Sequence, residues 1–105
     1  MTVVTVYTFT VKPDGYEAWL AVARKSKPLW ERLGAKNIRF LAGLVAGGQT
    51  GSMAFSFEAD DFSAYGAVVD RFLADPEGLA LMGSLNTSAS PIGPYQNTLW
   101  VDVPL

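Results

Sequence analysis

The stretch Ala35-Lys-Asn-Ile-Arg-Phe-Leu-Ala-Gly-Leu-Val-Ala-Gly-Gly-Gln-Thr-Gly-Ser-Met-Ala-Phe-Ser-Phe-Glu58 decides how the chain is read. In its first part Ile38, Phe40, Ala42 and Leu44 alternate with Asn37, Arg39, Leu41, Gly43 and Val45. In its second part Met53, Phe55 and Phe57 alternate with Ser52, Ala54, Ser56 and Glu58. A period of two marks a strand, whose successive side chains point to opposite faces. Between the two parts, Gly47-Gly48-Gln49-Thr50-Gly51 supplies the reversal, because glycine tolerates the positive φ that tight hairpins need. One face of this hairpin is strongly aromatic and the other is small or polar. That pattern belongs to an antiparallel sheet covered by helices on one side.

Working outward toward the N-terminus, Thr2 to Val11 alternates Thr with Val, Tyr and Phe, all strand formers. The set Val3, Thr5, Tyr7, Phe9 and Val11 is the bulkier, yet neither set is hydrophilic. Both faces of this strand are therefore expected to be at least partly covered, and which one meets the helices stays open. Lys12-Pro13-Asp14-Gly15 is a turn, and Asp14 with Glu17 resembles a capping box that starts a helix. Tyr16, Trp19, Leu20, Ala23, Trp30 and Leu33 then recur at helical spacing. Pro28 lacks an N–H and is expected to kink or interrupt this helix near Arg24–Lys27. Gly34 is placed to end it.

Beyond the hairpin, Asp60 or Asp61 is predicted to cap a second helix, with Phe62, Tyr65, Val69, Phe72 and Leu73 turned inward. Asp75-Pro76-Glu77 starts a short helix through Leu79, Met82 and Leu85, with proline at its first position. Residues 86–94 form a loop by composition, and Tyr95 to Val103 gives a last strand. Strand, helix, strand, strand, helix, short helix, strand is the order of the ferredoxin-like βαββαβ fold. It predicts an α+β domain over residues 1–105, a four-stranded antiparallel sheet with both main helices on one face.

Composition narrows the function classes. A net charge of −2 without a run of Lys or Arg makes nucleic acid and anionic membrane surfaces poor partners. The chain has no Cys and no His, which removes thiol nucleophiles, a Ser-His-Asp triad and the commonest metal ligand. The start, Met1 to Thr10, has no basic segment and no long apolar run, so a signal peptide is not expected and a cytoplasmic location is. No apolar stretch reaches the ~18 residues that a membrane span needs. Only 17% of residues are charged, below the roughly 25% of ordinary soluble domains, as expected if a partner chain covers part of the surface.

Parity assigns that surface. With helices on one face, the other carries Arg39, Leu41, Val45, Ala54, Ser56 and Trp100, plus one of the two N-terminal strand sets. Such a face is too apolar to leave in water, and packing it on the same face of a second copy gives a two-fold homodimer.

The runs Gly34-Ala-Lys-Asn-Ile-Arg-Phe through Gly47-Gly, Phe57-Glu-Ala-Asp-Asp-Phe-Ser-Ala-Tyr-Gly66 and Asp75-Pro-Glu77 resemble members of the dimeric α+β barrel superfamily. NIPSNAP-like and antibiotic-biosynthesis-monooxygenase-like small proteins are the nearest likeness. The resemblance implies two sheets paired into a barrel and, in active members, a ligand held between sheet and helices of each subunit. Haem-degrading and dye- or chlorite-converting members rely on a His, absent here, so no cofactor is expected. The cofactor-free quinone-forming monooxygenases fit better, because they surround a polycyclic phenol with Trp, Tyr, Asn and Arg.

On that reading Tyr7, Trp19, Trp30, Phe55, Tyr65 and Asn86 are the candidate ligand-binding residues, with no catalytic residue and no metal ligand assigned. The aromatics stack a flat ring, and the tyrosines and Asn86 orient its oxygen. The alternative is that the aromatics fill the core and that Asn86 is a helix C-cap. Arg39 either pairs with Glu58 or Asp102 across the dimer face or meets an anionic substrate. Asp60-Asp61 and Asp75-x-Glu77 read as helix caps rather than a metal site. Gly43-x-x-x-Gly47-Gly48 lacks the ending of a phosphate loop. The expected function is binding of a small aromatic or polyketide-like molecule, with monooxygenase-like chemistry, in an apolar cavity of roughly 300 Å3 or more. The competing expectation is a non-catalytic homodimeric binding or interaction module of NIPSNAP-like type.

Overall fold

The computed structural model describes the whole chain except Val45, Ala46 and Thr50, with Gln49 described in its backbone alone. Val45, assigned above to the uncovered face, thus lies outside the described residues. The elements are β1 (Val3–Phe9), α1 (Tyr16–Arg32), β2 (Lys36–Ala42), a short 3-10 turn (Gly47–Gln49), β3 (Met53–Ala59), α2 (Phe62–Ala74), α3 (Pro76–Leu85) and β4 (Gln96–Val101). The strands form one four-stranded sheet in the order β2-β3-β1-β4. Every neighbouring pair is antiparallel, as the ferredoxin-like order requires.

The register resolves which side of β1 meets the helices. Tyr7 stands opposite Phe55 and Asn97, and Thr5 opposite Phe57 and Leu99. Val3, Thr5 and Phe9 are buried, so the odd-numbered set is the inner one. A buried threonine is tolerable because its hydroxyl donates to Asn97 Oδ1 at 2.8 Å, a partner 92 residues away. The outer face carries the rows Arg39–Ser56–Val6–Thr98 and Leu41–Ala54–Thr8–Gln96. All six residues of β4 are exposed, including Leu99 and Val101 on the inner side, because α1 and α2 pack over β2 and β3 and leave this edge strand open.

Helix α1 departs from expectation at two places. Gly15, not Asp14, is its N-cap, and no side chain caps it. A capping side chain needs an extended backbone, whereas Asp14 is left-handed at φ 62 within the turn that Gly15 N–H closes on Lys12 O. Pro28 does not interrupt the helix, which runs unbroken from Tyr16 to Arg32. Both Pro28 and Arg24, whose carbonyl loses its partner, are exposed, so water can replace the missing donor. The end follows the expected pattern. Gly34 N–H donates to Glu31 O and Ala35 N–H to Trp30 O, a Schellman motif that Gly34 permits at φ 100.

The inward stripes are shifted from those predicted. Tyr16, Phe62 and Leu73 are exposed, and Ser26, Leu29 and Val68 are buried in addition to the expected Trp19, Ala23, Trp30, Leu33 and Phe72. Asp61 caps α2 by accepting from Ala64 N–H at 2.7 Å. Asp75 ends α2 and starts α3, accepting from Glu77 N–H and Gly78 N–H. A β-carbon at Gly78 would lie 2.4 Å from Phe72 O, so only glycine lets α3 fold back this tightly on α2. Arg32 donates to Asp75 at 2.7 Å and to Glu77 at 3.3 Å, tying the end of α1 to this junction.

The core is an aromatic block. Trp30 stacks on Phe72 with ring centroids 4.4 Å apart and planes 2° from parallel, and it reaches Phe55 and Phe57 at 5.3 Å. Such pairs add ~0.5–1.5 kcal/mol each beyond buried area. Arg39 joins none of the ion pairs among the described residues. Within the single chain Glu58 accepts from Asn37 Nδ2, and a pairing of Arg39 across a dimer face involves a second copy.

Candidate functional site

The large rings do not tile the space between sheet and helices completely. A cavity of about 150 Å3 remains, floored by Tyr7, Phe9, Phe40 and Phe55 of the sheet and walled by Trp19, Val22, Ser26 and Trp30 of α1. Leu81, Met82 and Leu85 of α3 and Val69, Phe72 and Leu73 of α2 line it as well, with Ile92 and Tyr95, and the cavity is open on part of its boundary. Alternation along the strands brings the floor residues to one face. The spacing 19, 22, 26, 30 brings the wall residues to one side of α1.

The rings around it brace one another. Phe9 meets Trp19 edge-on at 4.7 Å, Trp19 meets Phe40 at 5.9 Å, and Tyr7 stacks on Phe55 at 5.8 Å. Tyr95 presents its edge to Tyr7 at 6.0 Å. None of the described lining residues is charged, and the side-chain polar groups are the hydroxyls of Tyr7, Ser26 and Tyr95 and the indole N–H groups of Trp19 and Trp30. Ser26 donates to Ala23 O at 3.1 Å, which leaves its oxygen free to accept. The Tyr7 hydroxyl is pushed up to about 12, mainly by burial and further by the neighbouring Tyr65 and Tyr95. It stays protonated at neutral pH and is suited to donating a hydrogen bond, not to taking a proton.

Of the residues singled out from sequence, Tyr7, Trp19, Trp30 and Phe55 meet in this lining. Tyr65 is not among the lining residues; its ring stacks on Phe57 at 6.1 Å, and it stands near enough to Tyr7 to affect that hydroxyl. Asn86 is exposed, C-caps α3 and donates Nδ2–H to Met82 O at 2.7 Å. Ser26, Leu81 and Ile92 were not foreseen. For Ser26 the available signal was its position three residues after Ala23 on the inward stripe. The volume is about half the expected one. A cavity this size, lined by apolar side chains, holds a single benzene-like ring.

A second space of about 220 Å3 lies between α1 and α3, lined by Lys25, Leu29, Glu77, Ala80 and Ser84. Val22, Ser26 and Leu81 line both spaces. Among the described residues no helix is long and apolar enough to cross a membrane, and no cluster of acidic residues is placed to hold a metal ion.

No protein-family model matches the chain, and no curated protein matches it. Solved structures do. A NIPSNAP-like domain protein from Burkholderia xenovorans superposes with a TM-score of 0.72 at 12% identity, over 97% of this chain and 85% of that one. SnoaB, a cofactor-independent oxygenase from Streptomyces nogalater, superposes with a TM-score of 0.69 at 18% identity, over 99% and 95%. An antibiotic biosynthesis monooxygenase gives 0.69 at 17% identity, over 97% and 99%. At such identities the likeness is one of architecture. The chain carries the ferredoxin-like α+β fold found in NIPSNAP-like proteins and antibiotic biosynthesis monooxygenases.

Proposed function

We propose that this chain forms a homodimer through its outer sheet face and binds a small aromatic molecule between sheet and helices. The observation that carries the reading is the cavity of about 150 Å3 lined in part by Tyr7, Trp19, Trp30 and Phe55. Its size selects a single ring over the polycyclic phenol expected from the resemblance, unless Leu81, Met82 and Leu85 of α3 move aside. Tyr7, held protonated, donates to an oxygen on that ring. Tyr65 and Asn86 enter the proposal only as neighbours, one behind Phe57 and the other one turn beyond Met82.

The reaction that suits such a site is cofactor-free, monooxygenase-like oxidation of a phenol acidic enough to ionise without help. The protein contributes orientation, a Tyr7 hydrogen bond to the phenolate oxygen and exclusion of water. A binding module without turnover is the second reading, and the uncharged lining favours it, since no side chain there accepts a proton near neutral pH. Calorimetric titration with a panel of monocyclic phenols and hydroquinones tests binding, and oxygen uptake by the same mixtures separates turnover from binding alone. Failure of every ring compound to bind at millimolar concentration would remove both readings. Light scattering tests the dimer: a mass near 11.3 kDa at micromolar concentration would remove it.

A further inference from the structure

The aromatic cavity accommodates one ring, yet it adjoins a second, differently lined space. Val22, Ser26 and Leu81 line both, so the two spaces are neighbours with these three side chains between them. Among the described residues the first compartment has no charged lining residue, whereas the second holds Lys25, Glu77 and Ser84. Lys25, Glu77, Ala80 and Ser84 are exposed, so this compartment opens to solvent. Together the two exceed the roughly 300 Å3 at which small-molecule sites usually begin.

Charge pairing in the outer compartment is lopsided. Glu77 Oε2 lies 3.3 Å from Arg32 Nη2, so its carboxylate already has a cation. The hydroxyl of Ser84 donates to Leu81 O at 2.8 Å. Lys25 belongs to none of the ion pairs among the described residues. The outer compartment therefore offers one uncommitted ammonium, beside an apolar chamber that fits a ring.

We infer that the two compartments form one composite site for an aromatic ring bearing a short tail that ends in a carboxylate. The ring sits against Trp19 and Phe55, the tail crosses between Val22 and Leu81 past Ser26, and the anion meets Lys25. The inference rests on the aromatic cavity being a ligand site and adds the class of ligand it takes. Ser26, the buried hydroxyl at the rim, supplies an acceptor for a polar group in the tail. An exposed ammonium–carboxylate pair strengthens binding by only about two- to fivefold, so Lys25 sets selectivity more than affinity.

The test uses phenol as the ring-only probe and compares phenylpropanoate with the uncharged phenylpropanamide, by calorimetry on the intact chain and on Lys25→Gln and Lys25→Glu. Lys25 is an exposed helical residue, so neither substitution threatens the fold. The carboxylate is expected to bind about two- to fivefold tighter than the amide, and molar salt should narrow that ratio. Lys25→Gln should bring it to about one, and Lys25→Glu should invert it. Phenol binding with no preference between carboxylate and amide, or a preference that survives Lys25→Gln, would overturn the composite site while leaving the cavity as a ligand site. If phenol, acid and amide all fail to bind, the cavity reading falls, and this inference with it.

Discussion

The two faces of the sheet are made by the same strands and follow opposite rules. Inward, Phe9, Phe55 and Phe57 are buried beneath two main helices, and their bulk leaves a hollow. Outward, Val4, Val6, Thr8, Ala54 and Ser56 make a low surface of small side chains, while Trp100 stands 62% exposed at one edge. Large rings stack well on each other but do not fill every gap under the helices, so the inner face is strong and porous. Small β-branched side chains leave no hollow but bury little by themselves, so the outer face becomes a core only when another surface is laid on it. On the proposed reading, ligand binding belongs to the first face and association to the second.

The largest effect should separate the faces by stability. Trp30→Ala removes the ring stacked on Phe72 and should cost about 3–5 kcal/mol in urea unfolding. Trp100→Ala should change the unfolding of a dissociated chain by less than about 0.5 kcal/mol. Equal costs would erase the distinction between the faces.

Association probes the outer face alone. Val6 sits at the centre of the row Arg39–Ser56–Val6–Thr98, and Val6→Asp puts an unpaired carboxylate into any sheet-on-sheet contact. The dimer should weaken by about 2–4 kcal/mol, with the scattering mass falling toward 11.3 kDa while circular dichroism is retained.

On the inner face the Tyr7 hydroxyl, at about 12 when folded, lies above its ordinary value of 10.0. The folded chain holds that proton more tightly than the unfolded one, so the stability associated with it is intact below pH ~10 and is lost as pH rises toward ~12. The loss should be about 2–3 kcal/mol, and Tyr7→Phe should flatten this alkaline slope. An unchanged slope in the variant would place the alkaline weakness elsewhere.

The smallest effect concerns the helix layer over the inner face. Asp75 is held below the ordinary carboxylate range chiefly by its hydrogen bond from Arg32, helped by the Gly78 and Glu77 amides. Its contribution is present above the ordinary value of 3.8 and is lost as pH falls through the lowered one. Asp75→Asn should make acid unfolding less steep. The α3 lid over the cavity should loosen first, seen as faster amide exchange at Gly78 and Leu79 than in β3.

What could be read from sequence was whatever is periodic or punctuated. Alternation through Ile38–Phe40 and Met53–Phe57 exposed the hairpin, Gly34 announced the end of α1, and Asp75-Pro76 announced the start of α3. What escaped depended on contacts distant in the chain or on backbone angles. The inner side of β1 is fixed by Thr5 meeting Asn97, which no local pattern contains. Asp14 has capping chemistry but the wrong backbone, and Pro28 falls where water tolerates it. The cavity residues Tyr7, Trp19, Trp30 and Phe55 were legible because bulky aromatics on inward stripes must meet. Tyr65 falls behind Phe57, and Asn86 is occupied by its own helix. Ser26 was hidden because a serine in a helical run reads as surface.

The three tryptophans fall on different sides of this architecture. Trp19 and Trp30 look into the cavity, whereas Trp100 lies on the outer face with its indole N–H donating to Thr98 Oγ1 at 2.8 Å. If the proposed ligand and dimer exist, two intrinsic fluorophores report on the ligand and one on the partner. A bound ring should quench the buried pair and leave Trp100 untouched, while self-association should shift the Trp100 emission to the blue. With Trp100→Phe as the blank, a single cuvette can follow occupancy and assembly as separate signals.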